Sequence, residues 1–124
     1  MRQIEIRCFS NQGLVRQGLR VAGTRLVADV ILTGVRAWLW TPDLSPSGAH
    51  GVEVDIKANG MSIFSATTPE RLRILPGMLS SKAAGTPAPV LASNSFTDDM
   101  AIDIDVLAEG DGAKGLVVVL EVAD

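Results

Sequence analysis

Carboxylates crowd the last quarter of this chain: Asp98, Asp99, Asp103, Asp105, Glu109 and Asp111 lie within fourteen residues. Oxygen-rich clusters can hold calcium, and a facing pair of carboxylates can hydrolyse a glycoside. The spacing matches no calcium loop, however. Asp103 and Asp105 are two apart on what reads as a strand, which places them side by side on one face. They read as a solvated strand face. The other reactive groups are isolated. His50 is the single histidine, in a loop with Pro46, Ser47 and Gly48, and Cys8 is the single cysteine. One of each makes no zinc cluster. Nucleophilic catalysis by Ser or Cys wants a base beside it, most often histidine. No phosphate loop is present. The expectation is a protein that is not an enzyme, with no catalytic residue, no metal and no cofactor.

The elements that must position these groups are strands. Met100, Ile102, Ile104 and Val106 alternate with Asp103 and Asp105, the period-two pattern of a sheet dry on one side. A glycine-rich turn leads to Leu116, Val118, Leu120 and Val122, which can face the same core. Val117 and Val119 then point outward. A strand apolar on both faces needs cover on both, and a second subunit is one source of it.

The rest of the chain repeats the theme. Ile4, Ile6 and Cys8 share a face in residues 2–8. Residues 25–33 and 35–41 are β-rich runs divided at Gly34. Residues 42–50 form a Pro/Ser/Gly loop. Residues 52–57 alternate, and Asn59-Gly60 then marks a two-residue hairpin, because a type I′ turn needs positive φ at both positions. That turn pairs Ala58 with Met61, Lys57 with Ser62 and Ile56 with Ile63, and sets Phe64 beside Asp55. Residues 70–75 form a short strand, 78–89 a surface loop, and 90–92 and 94–97 short extended pieces. No helical period is sustained. The core should comprise Val52, Val54, Ile56, Ile63, Ile102, Ile104, Leu116, Val118 and Leu120. Short strands with frequent Gly and Pro breaks mean an all-β fold, a single antiparallel β-sandwich of jelly-roll type.

Charge is unevenly spread. The net is −3, which argues against nucleic-acid binding. Residues 1–50 carry +3 and residues 51–124 carry −6. Residues 9–25 hold Gly13, Gly18 and Gly23 with Arg16, Arg20 and Arg25. They read as an extended basic arm that offers bidentate bonds to carboxylates on a partner. The division expected is therefore an N-terminal strand and arm over 1–25 and a β-sandwich domain over 26–124. The first ten residues contain no signal peptide. No apolar run is long enough to span a bilayer. A soluble protein made in the cytoplasm is expected.

Four segments taken in order resemble a module of tailed-phage structural proteins, found in tail fibres, head fibres and capsid-decorating proteins. They are Leu32-Thr33-Gly34-Val35-Arg36-Ala37, Val52 through Ile63, Ala88-Pro89-Val90 with the Ser/Ala/Thr-rich loop before it, and Ile102-Asp103-Ile104-Asp105 with Gly112 through Leu116. The resemblance covers roughly residues 30–122 and implies an all-β virion protein without enzymatic activity. Two departures stand out. Trp38-Leu39-Trp40 replaces an alternation of small polar and apolar residues, and Val117 and Val119 replace Lys and Thr. Trp38, Trp40, Val117 and Val119 are therefore the expected self-association interface, in a homo-oligomer of trimer type. Arg16, Arg20 and Arg25 are the expected contacts to the major capsid protein. The leading expectation is a capsid decoration (cement) protein on the virion surface, made in the host cytoplasm. The alternative is a receptor- or glycan-binding module of a tail fibre or baseplate, with Trp38 and Trp40 stacking on sugar rings. A cellular adaptor or small enzyme ranks third.

Overall fold

The computed structural model describes residues 2–65 and 71–123. Among the described residues there are nine strands and no helix. They are β1 (Arg2–Arg7), β2 (Gly18–Arg25), β3 (Val30–Trp38), β4 (Val52–Ala58), β5 (Met61–Ser62), β6 (Leu72–Ile74), β7 (Ser95–Phe96), β8 (Ala101–Glu109) and β9 (Val117–Val122). One sheet runs β1-β9-β3-β7. The other runs β2-β8-β4-β5, with β6 also paired to β4, and every pairing is antiparallel.

Alternation decides which side of each strand is dry. Ile102, Ile104 and Val106 of β8 oppose Ala58, Ile56 and Val54 of β4, and all six are buried. Val118 and Leu120 of β9 lie between Ile6 and Ile4 on β1 and Ala37 and Val35 on β3. The inner faces of both sheets contribute to one core, and all nine expected core residues belong to it. Ile104, Leu116 and Val118 have no exposure at all.

The hairpin forms as its turn chemistry requires. Asn59 and Gly60 have φ of +48° and +85°, and Lys57 pairs with Ser62 and Ala58 with Met61. Asn59 Oδ1 also accepts the Ala101 amide at 2.9 Å, tying the turn to β8. Phe64 does follow Ser62, which bonds Asp55, but it is buried. It bridges to Leu91, and Arg71 stands 5.9 Å over its ring. Leu72 and Ile74 turn inward on β6. Glu70, the first residue of that expected run, lies outside the described residues.

Two expectations change. The runs on either side of Gly34 are one strand: the register slips between Leu32 and Gly34, so an irregularity absorbs what the sequence pattern marks as a break. Residues 18–25 are not a free arm but β2, the edge of the second sheet, paired to β8. The register shifts between Gly18 and Ala22, and Arg20 has φ +52° there. That irregularity erases the alternation that would have marked the strand.

Candidate functional site

The strand directions send the long connections to one end of the body. Residues 8–17, 39–51, 75–94 and 110–116 leave from the ends of β1, β3, β6 and β8. The opposite end has short turns at 26–29, 59–60 and 97–100, and the β5–β6 connection, which lies partly outside the described residues, also starts there. Binding residues concentrate on loops held by a rigid frame, so the loop-bearing end is the first place to look.

The loops at 8–17 and 39–51 are both bonded to residues 110–116. Val15 donates to the Ala113 carbonyl at 2.9 Å, Gly115 to the Gly13 carbonyl at 3.0 Å, and Trp40 to the Lys114 carbonyl at 2.8 Å. Thr41 and Lys114 exchange backbone bonds in both directions, and Leu44 donates to the Asp111 carbonyl at 2.8 Å. The Cys8 and Phe9 amides both reach the Leu116 carbonyl. Residues 79–81 run along β3: Leu39 donates to the Leu79 carbonyl, and Ser81 exchanges bonds with Ala37.

Asp43 is the polar pin of this end. It is only 1% exposed. Its Oδ1 accepts the Ser45 hydroxyl at 2.6 Å, the Ser45 amide at 2.9 Å and the Asp111 amide at 2.7 Å, while its carbonyl accepts the Gly77 amide. Burial pushes its carboxyl pKa up, but the Ser45 and Asp111 bonds outweigh it and hold the group below its ordinary value. Gly110, at φ +67°, packs so close that a Cβ there would lie 2.6 Å from the Asp43 carboxyl carbon. The fold needs glycine at that position on both counts. The sequence held one signal for this pin: an acid two residues before a serine in a Pro/Ser turn is an Asx-turn pattern.

On this frame stand exposed apolar side chains. Leu14, Trp40, Leu44, Met78 and Leu79 all belong to these loops, with Leu44 70% and Trp40 60% exposed. Trp38, half-buried on the outer face of β3, and Trp40 line a groove of about 170 Å³ together with Glu5, Arg7, Asn11 and Val117.

The expected interface residues divide. Trp38 and Trp40 come together, and Trp40 is open. Val117 and Val119 do face outward, but they are not bare: Val119 has 0% exposure and Val117 is buried. The register flanks Val119 with Glu5 and Arg36 and Val117 with Arg7 and Trp38. Long neighbouring side chains cover apolar surface with their stems, and Arg36 is held across β9 by Glu121 at 3.3 Å. The cover expected from a second subunit is supplied by the chain itself.

The expected arm arginines also find partners at home. Arg16 pairs with Glu109 at 3.6 Å, Arg20 with Asp103 at 4.0 Å and Arg25 with Asp99 at 3.7 Å. The basic segment thus lies along the acidic one. These pairs are exposed and individually weak.

The acidic strand face is not simply solvated. Asp105 is 1% exposed. Its Oδ2 stands 2.8 Å from Lys57 Nζ, and its Oδ1 accepts the Arg20 amide at 2.8 Å, so the β2 irregularity closes over it. Burial raises its pKa, but Lys57, the Arg20 amide and the nearby positive charges lower it further than burial raises it. Asp55, opposite Asp105, takes the Ser62 hydroxyl at 2.6 Å and lies 3.8 Å from Arg71. His50 Nε2 lies 2.9 Å from Glu53 Oε1 at the surface. No group of three or more His, Cys, Asp or Glu among the described residues is placed to hold a metal ion. Cys8 is half-buried, and burial pushes its thiol pKa up to about 12, against a smaller lowering by the Val118 backbone.

No family model matches this chain, and no curated protein or solved structure matches it either.

Proposed function

We propose that this chain is a non-enzymatic structural protein of a tailed-phage virion, a jelly-roll-like β-sandwich that decorates the outside of the head and stabilises it. The virion assignment rests on the sequence resemblance over residues 30–122. The observation that carries the binding role is the loop-bearing end, where apolar side chains are displayed on loops bonded to one another. A surface ordered before it binds loses little entropy on docking. Contact with the major capsid protein runs through this end in our reading, with Leu44, 70% exposed, as the anchor. It does not run through Arg16, Arg20 and Arg25, whose charges already have partners.

The test is co-sedimentation with phage heads. Wild-type protein should pellet with heads, and Leu44→Glu should not, while Arg16→Glu with Arg20→Glu should pellet like wild type. Undiminished binding by a folded Leu44→Glu variant, or binding only to tails, contradicts the reading. The second reading, a glycan- or receptor-binding module of a tail fibre or baseplate, is favoured by one observation, the pairing of Trp38 and Trp40 in a groove with polar walls.

A further inference from the structure

We propose that the groove lined by Trp38, Trp40, Glu5, Arg7 and Asn11 is a carbohydrate site that takes one neutral hexopyranose ring. The inference concerns the groove alone and holds whether the protein sits on the head or the tail.

Its lining has the two chemistries a sugar presents. A pyranose has an apolar face of C–H groups and a rim of hydroxyls. Indole rings offer large apolar surfaces for the first. Glu5, Arg7 and Asn11 offer acceptors and donors for the second, and a hydroxyl can use both at once. Arg7 Nη1 donates to Asn11 Oδ1 at 2.6 Å, which fixes the two side chains against each other and leaves other N–H groups for a ligand. The formal charges of Glu5 and Arg7 cancel, so the groove suits a neutral polyol better than a phosphate or an ammonium group. At about 170 Å³ it is smaller than the roughly 300–1,000 Å³ of pockets that enclose drug-sized ligands. That is room for one ring, not a chain of them.

The platform is also fixed before any ligand arrives. Trp40 is tethered by its amide to the Lys114 carbonyl. Its Cβ packs against Gly115, where φ is +73° and an added Cβ would lie 2.5 Å away. Any larger residue at 115 would displace the indole.

The chain has two tryptophans and no tyrosine, so its near-ultraviolet fluorescence and its two indole N–H resonances report on this groove alone. Glucose, galactose, mannose and N-acetylglucosamine should each be titrated into the full chain at millimolar concentrations. At least one should give a saturable shift of an indole resonance. Arg7→Ala, a change on an exposed edge-strand side chain, should weaken it by at least about tenfold. Trp40→Ala should abolish it and Trp40→Phe restore part of it. Arg7→Ala and Trp40→Phe keep the test alive should Trp40→Ala fail to fold. Non-saturable responses to all four sugars would overturn the proposal. So would a saturable response that Arg7→Ala leaves unchanged. Indole shifts caused by phage heads but by no sugar would reassign the groove to protein contact, and would likewise overturn it.

Discussion

The two ends of this molecule are built by different means. At one end the strands are joined by tight turns such as Asn59-Gly60, whose residues prefer the conformation they adopt. At the other, four long loops have little local preference of their own. They are fixed by bonds to one another and to β3, with the buried Asp43 carboxylate joining residues 43–45 to Asp111. The first end gets its order from sequence-local energetics, the second from contacts between residues far apart in the chain. The second kind of order can display Trp40 and Leu44 in the open, because the holding is done by backbone and by Asp43 beneath.

The comparison can be broken by mutation, and the core sets the scale. Ile104 is fully buried in the core, so Ile104→Ala should cost about 2–5 kcal/mol in urea unfolding. Asp43→Ala should come next, at about 2–4 kcal/mol, since it removes three hydrogen bonds to a buried charged carboxylate. It should also loosen the loop-bearing end selectively. Gly60→Ala, at the opposite end, forces a side chain into φ +85° and should cost only about 1–2 kcal/mol. A Gly60→Ala cost equal to that of Asp43→Ala would erase the difference claimed between the ends.

Acid should act on the Asp43 end and on the buried Asp105. Both carboxyl groups have folded-state pKa values below their ordinary 3.8. A depressed folded pKa means that the unfolded chain binds protons first, so each group's stabilisation is present above that ordinary value. It is lost as pH falls through the folded pKa. Melting temperature should therefore be flat on this account from neutrality to about pH 5 and fall below about pH 4. Asp43→Asn should make that fall shallower. The smallest effect is expected from Arg16→Glu with Arg20→Glu. These exposed pairs should contribute less than about 1 kcal/mol to stability.

Legibility in the sequence follows the same division. The hairpin register, the inward faces of β4, β8 and β9, and all nine expected core residues could be read from alternation and turn chemistry. Those are local signals. Strand β2 was hidden because an irregularity between Gly18 and Ala22 breaks its alternation, and its Arg residues imitate a solvated arm. Val119 reads as bare because the sequence cannot tell that Glu5 and Arg36 will flank it. Asp105 reads as solvated because its cover comes from β2, more than eighty residues earlier. The tryptophans were legible as outward-facing, but the groove depends on Glu5, Arg7 and Asn11, brought in by β1 and its loop.

Amide hydrogen exchange tests the central claim most directly, that the loop-bearing end is ordered before it binds anything. The Val15, Trp40, Leu44, Asp111 and Lys114 amides should be protected to a degree comparable with strand amides in the free protein. In Asp43→Ala they should lose protection together, while Asn59 and Ala101 at the opposite end keep theirs. Free-chain exchange rates at those five amides in the wild type would contradict the account.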